Sequence, residues 1–187
     1  SVFTDCSGQY NGYIWFYVGE IKDGKDDVAG RRIISLYDDG NECREVNPAI
    51  IWDFSPYAGQ VEKVEIEGKG PLPHAIKAIE KFKGEISDER RRQAEIKRKY
   101  GLKSLDFLIG QLDLEIVSLV DRLAQGEKVD LPIRNKEEQK KRYELARKEL
   151  EVEIQREMTL SMNMPELLTV IKVIPVPGEM VEAADIE

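Results

Sequence analysis

The chain has 187 residues, enough for one compact domain or for a small domain with an extended appendage, so it needs neither disulfide nor metal to fold. Apolar residues make up 41% of it and charged residues 34%, an excess of charge that implies much exposed helix surface. A formal charge of -8 excludes a surface built throughout for phosphate backbones, and no apolar run is long enough to cross a membrane as a helix.

Metal and nucleophile chemistry has little to draw on. Cys6 and Cys43 belong to no CxxC or Cys/His pattern and read as reduced thiols of a cytoplasmic protein, a mutual bridge being the alternative. His74 is the single histidine, so a multi-histidine zinc site is excluded. Its context, Pro71-Leu72-Pro73-His74, looks like a helix start and favours a surface or capping role over catalysis.

In chain order, Gly12–Glu20 is aromatic and β-branched, which predicts a strand, and Arg31–Tyr37 predicts a second across a turn at Asp23-Gly24. Asp39-Gly40 turns the chain into a third strand over Glu42–Val46, giving a meander. Asn47-Pro48 is a cap followed by proline at the first helical position, so Ala49–Phe54 should be one helical turn tucking Ile50, Ile51 and Trp52 under the sheet. Val61–Glu67 reads as a fourth strand, and Gly68-Lys69-Gly70-Pro71 closes the β portion.

From Pro73 the pattern is helical. A first helix to about Phe82 should break near Gly84 and restart at Ser87 or Asp88, with Gly101 as its end and Ser104 capping the next helix. That next helix carries the clearest periodicity: Leu105, Ile109, Leu112, Ile116, Leu119 and Leu123 are spaced by alternating fours and threes, one stripe facing a partner helix. Leu108, Val117 and Val120 widen the stripe and imply more than one neighbour. The partner should begin at Asn135, which with Glu138 makes a capping box, and run to Met162 with its own stripe of Tyr143, Ala146, Leu150, Ile154 and Met158. At its full length that arm would reach roughly 35–40 Å. After Pro165 a β-branched strand, Leu167–Ile174, should rejoin the sheet.

The expected fold is therefore α+β: a small antiparallel sheet formed by residues 1–70 and 166–176, and a helical region, 71–165, whose long antiparallel, coiled-coil-like hairpin is inserted before the last strand. The chain opens at Ser1 without methionine and residues 177–187 read as an acidic linker, so a piece of a longer protein is expected.

No phosphate-wrapping glycine loop, GxSxG elbow or GxGxxG fingerprint occurs, and Asp23–Asp27 lacks the glutamate that would complete a calcium loop. No catalytic, cofactor or metal residue is assigned. What remains is basic: Arg90, Arg91, Arg92, Lys97, Arg98 and Lys99 crowd one helix, and Arg134, Lys136, Lys140, Lys141, Arg142, Arg147 and Lys148 line the second arm. Such residues either track phosphates irrespective of sequence or form a solvated face balanced by nearby glutamates. For Arg90–Lys99, where bases outnumber acids, nucleic-acid contact is the candidate role.

Several stretches together resemble the region that follows the motor in Swi/Snf-type superfamily 2 helicases of archaea and bacteria: Trp15–Gly24, Asn47–Asp53, Tyr100–Asp106, and Ile133-Arg134-Asn135 ahead of the long charged helix. The resemblance covers most of the chain, and its motifs are structural rather than catalytic. It implies that ATP and Mg binding belong to upstream motor lobes of the same chain, and that this region is an accessory module. Its hairpin would brace the motor, guide DNA or RNA, or meet a protein partner or a second copy.

Overall fold

A computed structural model describes residues 1–59 and 70–176. The strand expected over Val61–Glu67 and the acidic linker from Pro177 lie outside the described residues. The chain divides into two units, one of residues 1–22, 28–86 and the described residues from 161 onward, the other of residues 23–27 and 87–160.

The first unit is built on a seven-stranded sheet of β1 (Val2–Asp5), β2 (Gly12–Lys22), β3 (Val28–Asp38), β4 (Cys43–Val46), β5 (Phe54–Pro56), β6 (Ser161–Met162) and β7 (Glu166–Pro175). The order is β4-β3-β2-β7-β1-β5, with β6 paired to the end of β2. The β2-β3-β4 meander is present. The sheet is neither small nor purely antiparallel, because β7 enters between β2, to which it is antiparallel, and β1, to which it is parallel. The strands that enlarge it beyond expectation, β1, β5 and β6, have four residues or fewer, too few to show a period of two.

Alternation along β2 explains its composition. Ile14 and Phe16 face one side, where Tyr37, Phe54, Ile171 and Val173 complete a core that Ile50 and Ile51 pack against. Trp15, Tyr17, Gly19 and Ile21 face the other. Both sets of apolar side chains are buried, so the middle of β2, Ile14–Tyr17, is apolar on both faces rather than alternating. The second face is covered by the start of α1 (Leu72–Ile96): a Cβ on Gly19 would fall 2.2 Å from Ile79 Cδ1, and one on Gly30 would fall 2.9 Å from the Phe82 ring. Glycine at these two positions lets the helix sit directly on the strands. Arg32 adds an ion pair to Glu85 at 2.7 Å and lies 4.0 Å above the Phe82 ring.

The turn Pro48–Asp53 is a 3-10 helix capped by the Asn47 side chain, which accepts from the Ala49 N–H. Trp52 is not under the sheet; it is 85% exposed. At three residues per turn, consecutive side chains point in three directions, so a turn that seats Ile50 and Ile51 must send its neighbour outward. Both cysteines are free thiols.

The helical stretch, lying between β5 and β6, is more continuous than expected. Helix α1 does not break at Gly84, and it passes through a π-helical turn, Lys97–Leu102, into α2 (Lys103–Ala124) without stopping at Gly101. A glycine inside a helix costs about 1 kcal/mol relative to alanine, too little to end one made of strong helix formers. Ser104 is consequently an interior residue, not a cap. Helix α3 (Asp130–Met158) starts ahead of Asn135, with Pro132 in its first turn, where N–H groups have no intrahelical acceptor to lose. Among the described residues no helix is long and apolar enough to cross a membrane.

Ile79 is fully buried against Gly19, whereas Trp52 is bare. In urea denaturation, Ile79→Ala is expected to lower stability by about 2–5 kcal/mol, and Trp52→Ala to change it by about 0.5 kcal/mol or less.

Candidate functional site

The second unit holds every residue that sequence reasoning put forward as a contact. Its frame is α2 and α3, which lie side by side, with the π-helical turn also packed on α3. Gly101 sets that contact: a Cβ there would fall 2.7 Å from Leu150 Cδ2, so the glycine that looked like a helix end serves as a close approach. Of the predicted seam, Leu112 and Ile154 are buried, Leu105, Ile109, Ile116, Leu119, Tyr143 and Leu150 are half-buried, and Leu123 is exposed. The seam thus contributes less than six fully buried side chains would. Leu108, Val117 and Val120, expected to meet a second neighbour, are exposed.

Charged residues also pair across the two helices. Lys136 pairs with Glu115, Lys140 with Asp113 and Arg147 with Asp106, each at 2.6 Å. Lys140 and Arg147 also reach Glu144 and Glu151 one turn along α3, at 3.8 and 3.2 Å, but the nearest acids sit on the other helix, a pairing that local spacing does not reveal.

At the other end of α3, the turn Asp23–Asp27 is tied to the helix. The Gly24 N–H donates to the Arg156 carbonyl at 2.9 Å, and a Cβ on Gly24 would fall 2.8 Å from the same oxygen. Asp23 is buried and accepts from the Lys25 and Asp27 N–H groups, so the turn is anchored rather than freely solvated. Beside it Lys25 and Lys97 share two acids: Lys97 Nζ is 2.7 Å from Glu157 and 3.3 Å from Glu153, and Lys25 Nζ is 3.3 Å from Glu157 and 3.4 Å from Glu153. The hydrogen bond from Lys97, opposed by burial and helped by Lys25, holds the Glu157 carboxyl down at about 2.

The six basic residues assigned to nucleic-acid contact are not equivalent. Arg90 lies 4.0 Å from Asp23, Arg91 3.1 Å from Asp88 and Arg92 3.8 Å from Glu89. Lys97 belongs to the clasp just described. Arg98 meets the neutral Met158 sulfur, at 3.7 Å, and Lys99 sits 5.3 Å over the Tyr100 ring. Among the described residues, these two alone of the six have no carboxylate within ion-pair distance. His74 is exposed in the first turn of α1, apart from this unit's charges in sequence.

Two open hollows flank α3. One, of about 450 Å³, is lined by Lys25, Lys148, Glu149, Val152, Glu153 and Arg156. The next, of about 440 Å³, is lined by Arg98, Leu102, Lys148, Glu151, Val152, Ile154 and Gln155. Arg156 escaped sequence reasoning; its only signal was the eight-residue spacing from Lys148, which repeats one helix face. Helix α2 also presents an apolar stripe: Phe107, Leu114 and Val117 are 63%, 74% and 59% exposed and share the face turned away from the seam, with Gly110 between them. Among the described residues, no three or more His, Cys, Asp or Glu side chains gather to hold a metal ion.

Compared with known protein families, characterised proteins and solved structures, the chain matches none.

Because folding lowers the pKa of Glu157, the stabilisation it brings is complete above its ordinary value of 4.5 and is lost as pH falls from there through about 2. Urea midpoints measured across that interval should fall less steeply for Glu157→Gln than for the parent chain; equal slopes would remove the clasp from the account.

Proposed function

We propose that this chain is a non-catalytic accessory region of an ATP-dependent nucleic-acid translocase, in which α2 and α3 form a helical hairpin that braces the motor lobes and lies beside nucleic acid. ATP and Mg belong, on this reading, to the lobes upstream in the parent chain. Support for the hairpin comes from the order of its ion pairs: as positions on α3 rise from Lys136 through Lys140 to Arg147, their partners on α2 fall from Glu115 through Asp113 to Asp106. That reversal is what antiparallel helices require.

The observation that carries the bracing role is the stripe of Phe107, Leu114 and Val117. Single exposed apolar side chains are ordinary, but three on one face of a helix whose opposite face is already engaged form a surface that gains free energy when covered. The motor lobes are the first choice of cover because the sequence resembles a region that follows such lobes. A second copy of the chain is the rival, favoured by the same stripe.

The test titrates the isolated upstream lobes with this chain. Saturable binding is expected, weakened at least tenfold by Leu114→Asp combined with Val117→Asp, while circular dichroism stays unchanged. If the chain alone instead gains mass with concentration in sedimentation, and the same double variant abolishes the gain, self-association replaces bracing. Failure to bind the lobes together with a constant monomer mass would sink both readings.

A further inference from the structure

We infer that Arg98, Lys148 and Arg156 form a track for the phosphate backbone of a nucleic acid, a site distinct from the arginine run that the sequence makes conspicuous. The inference deepens the accessory reading but uses none of the residues of the α2 stripe, so either can fail alone.

A carboxylate beside a cation offsets part of the charge it can offer a phosphate, and Arg90, Arg91, Arg92 and Lys97 each have such a neighbour. Among the described residues, Arg98, Lys148 and Arg156 have no carboxylate within ion-pair distance, and all three are exposed. Most acids beside them are committed elsewhere, Glu151 to Arg147 at 3.2 Å and Glu153 to Lys97 and Lys25; Glu149, at the rim of one hollow, is the exception. Counting the side chains left over from those pairs, three cations face one carboxylate, Glu149, across the two hollows.

Their arrangement selects the kind of ligand. Lys148 lines both hollows, with Arg98 beside one and Arg156 beside the other, so the cations stand in series along a joined surface. From Lys148 to Arg156 is eight residues of helix, about 12 Å of rise. A lone phosphate needs donors converging on one point; cations strung out in a row fit a polymer that repeats its charge. The exposed side chain of Val152 lies between the hollows, and no aromatic ring lines either. Contact is thus to backbone rather than to stacked bases, and independent of sequence. The π-helical turn contributes Arg98 from an element placed against α3 by Gly101, so the row is assembled across two segments by packing and not by one helix alone.

The test measures binding of the whole chain to fluorescein-labelled 20-mers of mixed sequence, single-stranded and duplex, from low to moderate salt. Binding that weakens with salt is expected for at least one form. Changing Arg98, Lys148 and Arg156 together to alanine should weaken it at least tenfold at low salt, and lower the log–log salt slope by about 2 for a single strand. The triple change of Arg90, Arg91 and Arg92 to alanine should leave affinity within about threefold, since each of those charges is offset by an adjacent carboxylate and none lines either hollow. Circular dichroism of both variants guards against unfolding. The track is overturned if neither oligonucleotide binds, if labelled polyglutamate binds as tightly as the oligonucleotides, or if the second triple variant loses more affinity than the first.

Discussion

Two glutamates one helical turn apart, Glu153 and Glu157, govern the electrostatics of the helical unit. Each reaches both Lys25 and Lys97, so the turn at Asp23–Asp27, the π-helical turn and the last turns of α3 meet at one cluster of opposite charges. Burial alone would raise the Glu157 carboxyl; the ammonium groups reverse that and hold it below its ordinary value. This clasp takes up Lys97 and Lys25, and the α2–α3 pairs take up Lys136, Lys140 and Arg147, so the cations left to the surface are fewer than the basic inventory suggests. In such a chain the count of lysines and arginines says little about where an anion can bind. The map of their partners says most of it.

Apolar surface follows a parallel logic. Strand β2 is apolar on both faces and both are covered, one by residues of β3, β5 and β7 and the 3-10 turn, the other by the first part of α1. Helix α2 also carries apolar side chains on two faces, but only one is engaged within its unit. The same pattern of composition thus gives a core in one place and an uncovered stripe in the other, depending on how many neighbours surround the element.

The main sheet was legible because its strands are long enough to show their character. The aromatic run at Tyr13–Val18, the Asp-Gly turns and the late β-branched run announce β2, β3, β4 and β7, and Asn47-Pro48 marks the short helical turn. The strands β1, β5 and β6 were hidden because a few residues carry no period, and they exist only as partners of longer neighbours. Helix boundaries were misread for one recurring reason. Gly84, Gly101, Ser104 and Asn135 are residues that favour helix ends, yet all lie inside helical structure, where packing and strong flanking helix formers outweigh preferences worth about 1 kcal/mol each.

The sequence by itself determined the class of the protein as mixed α and β, the identity of its main strands, the stripe that seats α2 against a neighbour, and the lack of any recognisable catalytic motif, since each depends on periodicity or on local residue chemistry. Tertiary structure alone decided which glycines end a helix and which admit a neighbouring side chain, where β7 inserts, and which cations remain free. Those outcomes turn on distances between residues far apart in the chain, from Lys25 to Glu157 or Gly101 to Leu150, and a linear pattern encodes spacing along the backbone but not proximity across it.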